Sequence, residues 1–134
     1  MTAAEAGRAW LLGMGPVEEY AGLLRVPAGA AFDLVRVPYA WARRALGELL
    51  DSGTVPVGPV LLVARREVLE WLVPAGTVTD WAVSGTCCVG VGAFMRCPFP
   101  GEVRASRLWL RPPDGSGRLT PGWALREALK ATAE

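Results

Sequence analysis

Histidine is absent from all 134 residues, and lysine occurs once, at Lys130. Without histidine there is no nucleophile–histidine–carboxylate triad and no histidine-based zinc site. Cysteine is limited to Cys87, Cys88 and Cys97. Two of these are neighbours, which a strand would point to opposite faces, so the three read as small strand residues rather than a ligand set. A Cys88–Cys97 bridge across a bend is the other reading. Cys87 or Cys97 as a nucleophile would need an arginine or a helix N-terminus to lower its pKa. No Asp-x-Asp or Glu-x-Glu occurs, so the carboxylate pairing that a two-metal site commonly takes from one strand is missing. Gly85-Thr86 and Gly90-Val91-Gly92 do not open a helix, unlike a Walker loop or a dinucleotide fingerprint. No apolar run approaches the roughly 20 residues that span a bilayer, and no basic-then-apolar leader begins the chain, which reads as cytoplasmic. On these grounds no catalytic residue, metal or cofactor is assigned.

What remains is a chain of globular composition, 51% hydrophobic and 20% charged. Its length suits a single domain over residues 1–134 that buries roughly two thirds of its unfolded surface. The 14 basic and 13 acidic residues leave a net charge of +1, so binding to an anion requires a local patch. Thirteen of the basic residues are arginine, a choice that suits bidentate phosphate or carboxylate contacts but also follows from coding bias.

Three stretches share one ending: Leu24–Gly29, Leu69–Gly76 and Trp109–Gly115 each run from apolar residues into proline and then glycine. Proline cannot donate to a strand ladder and glycine accepts positive φ, so each reads as a strand stopping at a turn. Thr2 and Glu5 form a potential capping box for a helix over residues 2–14, which Gly7 and Gly13 weaken by about 1 kcal/mol each. Residues 1–20 are expected to attach loosely. Strands are predicted at 23–27 and 32–37, followed by a helix from Pro38 to Ser52 whose Ala42, Ala45, Leu46, Leu49 and Leu50 form an apolar stripe. Val60–Ala64 and Leu69–Val73 form a central hairpin around Arg65-Arg66-Glu67. Residues 87–97 read as one strand interrupted by glycines, Arg107–Arg111 as the last strand, and Thr120-Pro121 as cap and first turn of a terminal helix. The expected fold is α+β, a mostly antiparallel or mixed sheet of about five to six strands with two to three helices packed on it.

Two sets of side chains stand out. Arg107, Trp109 and Arg111 share strand parity, so one face could stack a base and hold phosphates, joined by Arg65 and Arg66 on the hairpin turn. An outer sheet face covered by arginine stems or by a helix would show the same pattern. Trp81, Phe99 and Trp123 lie outside the best helix stripe, as expected of a protein-interaction or assembly surface for a partner or a second copy.

Taken together, Phe32–Pro38 with its following helix, Gly58–Leu61, Trp71–Thr77, Gly85-Thr86, Cys97-Pro98 and Trp109–Gly115 with its final helix resemble short actinobacterial proteins related to the bifunctional primase/polymerase amino-terminal domain. The resemblance spans roughly residues 24 to 130. It implies a compact domain of α-helix and β-sheet whose catalytic members use acidic metal ligands and a histidine. This chain has neither the paired acidic motif nor the histidine, so no catalytic residue carries over. The expectation is a non-catalytic accessory or regulatory domain binding nucleotide, nucleic acid or a partner protein. The alternative is an interaction module with no nucleic-acid role.

Overall fold

The computed structural model describes residues 1–133. Its elements run α1 (Ala3–Leu12), β1 (Glu18–Tyr20), β2 (Leu23–Pro27), β3 (Phe32–Pro38), α2 (Tyr39–Ser52), β4 (Val60–Val63), β5 (Val68–Pro74), β6 (Cys87–Val89), β7 (Phe94–Cys97), β8 (Arg107–Arg111) and α3 (Gly122–Thr132). The eight strands form two antiparallel sheets, a five-stranded one ordered β6-β3-β5-β4-β8 and a three-stranded one ordered β1-β2-β7. The fold is α+β as expected, with the strands divided between two sheets rather than gathered in one.

The period-2 alternation of the central strands assigns each face its partner. Val35, Val37, Leu69, Trp71 and Val73 meet Ala42, Ala45 and Leu49 of α2 and Leu125 and Leu129 of α3. Phe32, Leu34, Leu61, Leu72 and Trp109 point the other way, onto Leu24, Val26, Met95 and Cys97 of the small sheet. The large sheet is thus covered on both faces, which explains why β4 is apolar almost throughout. Each leucine that is fully buried there stabilises the fold by roughly 1.5–3 kcal/mol. The two helices are tied together where Trp41 Nε1 donates to the Leu129 carbonyl at 3.0 Å.

Several local expectations hold, and others acquire a different physical meaning. Thr2 and Glu5 make the reciprocal capping box, each bond 3.1 Å long. The segment expected to hang loosely is docked: Leu11 is fully buried in the inter-sheet core, and Gly7 lies against Pro113 so closely that a Cβ would collide with its carbonyl. Residues 87–97 are two strands. β6 pairs with β3 in the large sheet and β7 with β2 in the small one, and the glycine-containing stretch between them is the passage from one sheet to the other. The β2-to-β3 connection makes the same passage beside it. Ala28 N–H donates to the Ala93 carbonyl at 2.9 Å, and Gly29 has no room for a Cβ against Val91. Thr120 does not cap α3; its buried hydroxyl accepts from Gly58 N–H at 3.0 Å. Among the described residues no helix is long and apolar enough to cross a membrane.

Candidate functional site

The apolar row that packs between the sheets ends in charge. Along β3 the inward sequence is Phe32, Leu34, Arg36; along β5 it is Leu72 and then Glu70; along β8 it is Trp109 and then Arg107. Arg36 and Glu70 are direct cross-strand partners, and Arg107 is paired with Val63. On the small sheet, Arg25 of β2 is the partner of Arg96 of β7, both alternating with buried residues. Arg66 reaches in from the 3₁₀ turn between β4 and β5.

These side chains line a cleft of about 330 Å³, with Val63, Val68 and Phe94 as its apolar wall. Five arginines line it, and the lining includes one carboxylate, Glu70. Arg36 Nε donates to Glu70 Oε2 at 2.8 Å, the glutamate being almost wholly buried and the arginine about one-third exposed. The other oxygen, Glu70 Oε1, is buried with no hydrogen-bond partner among the described residues. Arg107 is fixed by donation from Nη1 to the Arg96 carbonyl at 3.0 Å. Burial lowers its pKa; Glu70 opposes that shift, while Arg66, Arg96 and Arg36 reinforce it through like-charge repulsion. Arg25 lies with its guanidinium 3.6 Å from the centre of the Phe94 ring, a cation–π contact that holds the side chain in place. The cleft therefore combines crowded cationic donors with partial burial, conditions under which a multivalent anion gains both hydrogen bonds and relief of repulsion.

The residues singled out in the sequence are distributed differently from the expected Arg-Trp-Arg face. Arg107 and Arg66 line the cleft and Arg65 does not. Trp109 shares the face of Arg107, but that face is the inner one. Its ring is buried and Nε1 donates to the Pro98 carbonyl at 2.8 Å, so it presents no stacking surface. A register shift at Val60/Leu61 separates Arg111 from the row, and it lines a different hollow of about 210 Å³ with Trp10 and Arg118. Of the aromatic set, Phe99 is buried beneath Arg8, whose guanidinium lies 4.2 Å from the ring centre. Trp81 is half-buried with Nε1 bonded to Thr86 Oγ1 at 2.9 Å; Trp123 is exposed.

Comparison with protein-family models, curated proteins and solved structures gave no match.

Sequence pattern alone does not mark Arg25, Phe94 or Arg96 as site residues, and it gives Glu70 a solvated surface role where the structure buries it. Arg36 carried a signal, an arginine continuing an inward apolar row to a strand end, but Arg25 and Arg96 meet only through a pairing of distant segments. Asp33 and the cysteines lie outside the cleft lining. Asp33 is buried, and its Oδ2 accepts from the N–H groups of Gly76 and Val78 at 2.9 Å each, anchoring the loop after β5. Cys97 is buried on the inner face of the small sheet, while Cys88 packs on the helix side of the large one; all three thiols are free. Burial pushes both Cys88 and Cys97 up to about 12, the reverse of what a nucleophilic thiolate requires. Among the described residues no three histidine, cysteine or carboxylate side chains gather to hold a metal ion.

Proposed function

We propose that the protein is a non-catalytic accessory or regulatory domain of primase/polymerase-like ancestry, acting in the cytoplasm and binding the phosphate groups of a nucleotide or nucleic acid. One observation carries this reading: two arginines from each sheet, with Arg66 from the turn between β4 and β5, line a cleft with a single carboxylate in its lining. Guanidinium groups suit phosphate because each offers a planar fork of donors and keeps its charge. The apolar wall of Val63, Val68 and Phe94 limits water on one side of the cleft and strengthens the field there.

The test is a calorimetric titration with tripolyphosphate and with single-stranded DNA, at low and at moderate salt. Binding of at least one that weakens as salt rises is expected. If neither binds at either ionic strength, the phosphate reading is lost.

A second reading is favoured by one residue. Trp123 is 59% exposed at the start of α3, beside a shallow hollow that also includes Leu49 and Val55. An exposed tryptophan next to an apolar hollow is what a protein-interaction or assembly module presents. Light scattering separates the two readings, since self-assembly abolished by Trp123→Ala belongs to the second.

A further inference from the structure

The outer face of the three-stranded sheet carries a second hollow that shares Arg25 and Arg96 with the first. We propose that it seats the base of a nucleoside triphosphate whose phosphates occupy the arginine cleft, an inference that rests on the phosphate reading above.

The strands themselves build this surface. Leu24, Val26, Met95 and Cys97 turn inward to the core, so the alternate residues turn outward. Cross-strand register then places Tyr20 beside Leu23, Glu18 beside Arg25, and Arg25 beside Arg96. Ala21 and Gly22, with φ of 54° and 80°, make a two-residue hairpin turn that fixes Tyr20 and Leu23 as neighbours. The hollow, about 370 Å³, is bounded by Tyr20 and Leu23 on its apolar side and by Glu18, Arg25 and Arg96 on its polar side. Arg25 and Arg96 also line the phosphate cleft, so the two sites share a wall.

Tyr20 is 86% exposed, leaving its ring available to a ligand. An aromatic ring beside a leucine offers a flat stacking surface, and arginine guanidinium planes offer another. Glu18 is an acceptor for the amino or imino groups on a base edge. Its carboxylate stands 4.0 Å from Arg25, a contact loose enough to be remade with a ligand. Phosphate donors on one side of a shared arginine wall and a stacking surface with one acceptor on the other match the two halves of a nucleotide.

The experiment compares adenosine triphosphate with tripolyphosphate by calorimetry, without added divalent cation, on the whole protein and on Tyr20→Ala and Tyr20→Phe. Stacking predicts that the nucleotide binds about tenfold tighter than tripolyphosphate. Tyr20→Ala should abolish that difference while leaving tripolyphosphate affinity within about twofold, and Tyr20→Phe should preserve it. Equal affinity of the wild-type protein for the two ligands, or indifference of the nucleotide to Tyr20→Ala, overturns the base site and leaves the phosphate cleft standing. Binding of neither ligand overturns the base site together with the binding of free polyphosphate in the cleft. Tighter binding of an oligothymidylate without terminal phosphates than of the nucleotide overturns the mononucleotide assignment in favour of a strand.

Discussion

Arg36 and Glu70 face each other across adjacent strands, joined by a 2.8 Å hydrogen bond to one carboxylate oxygen while the other is buried without a partner. The pair occupies the position where the inter-sheet core gives way to the arginine cleft. It therefore contributes to two quantities that should respond to mutation in opposite directions.

Glu70→Gln keeps an acceptor for Arg36 but removes the negative charge. The folded state should lose about 1 kcal/mol, discounted for the exposure of Arg36, lowering Tm by about 3 °C. Tripolyphosphate affinity should instead rise several-fold, since repulsion on the order of 1 kcal/mol is relieved. Thermal melts and calorimetry on the same preparation read both effects; a fall in affinity would contradict the cleft electrostatics.

The division of the arginines between sites gives a mapping test. Arg107→Ala should weaken tripolyphosphate binding about tenfold, the loss of one charge-assisted contact. Arg65→Ala and Arg111→Ala, which remove side chains outside the cleft, should each change it less than about twofold. Equal losses from all three substitutions would point to a diffuse surface charge.

Gly7 offers a test in which helix propensity and packing disagree. In an isolated helix Gly7→Ala would stabilise by about 1 kcal/mol. Here the added methyl meets the Pro113 carbonyl, so a net destabilisation of about 1–3 kcal/mol is expected from urea denaturation. A more stable variant would show that α1 does not dock as described.

How much of this was legible in the sequence depended on the range of the forces involved. β2, α2 and β8 were readable to within a residue or so, because proline, glycine and apolar period are local signals. The break between β6 and β7 was not: a Gly-Val-Gly stretch looks alike whether a strand bulges or changes sheets, and the choice is made by partners such as Leu34 and Arg25 far away in the chain. The site was legible in the same partial way. Parity correctly put Arg107 and Trp109 on one face, but only the packing of a second sheet determines that this face is internal. Arg111 left the row through a register shift that no alternation pattern encodes.

Alkaline pH should weaken the fold through Cys97. Burial, reinforced by Glu70 and opposed by Arg107, pushes its thiol from 9.0 up to about 12. A raised folded-state pKa means that the folded form holds the proton more tightly. The associated stability is complete below pH 9 and is lost as pH rises from 9 toward 12, by about 1.4 kcal/mol per unit. Denaturant unfolding at pH 8 and pH 10 should show a smaller decline for Cys97→Ala than for the wild-type chain. Identical declines would remove Cys97 as a contributor.

Asp33 should prove a loop anchor without a part in ligand binding. Asp33→Ala leaves two loop N–H groups without their acceptor and should cost about 2–3 kcal/mol, and Asp33→Asn less, by urea denaturation. Tripolyphosphate affinity of the folded variants should stay within about twofold, and a larger change would connect this loop to the cleft.

The two passages between the sheets lie side by side, pinned by the Ala28–Ala93 hydrogen bond, at the start of β3 and β7. Arg36 lies toward the opposite end of β3. A second tie crosses between the sheets at the cleft itself, where Arg107 of β8 donates to the Arg96 carbonyl of β7. With ties at both Ala93 and Arg96, the two sheets cannot turn on one another there without breaking a hydrogen bond. The arrangement of the arginines that line the cleft is consequently a property of the fold rather than of anything bound there.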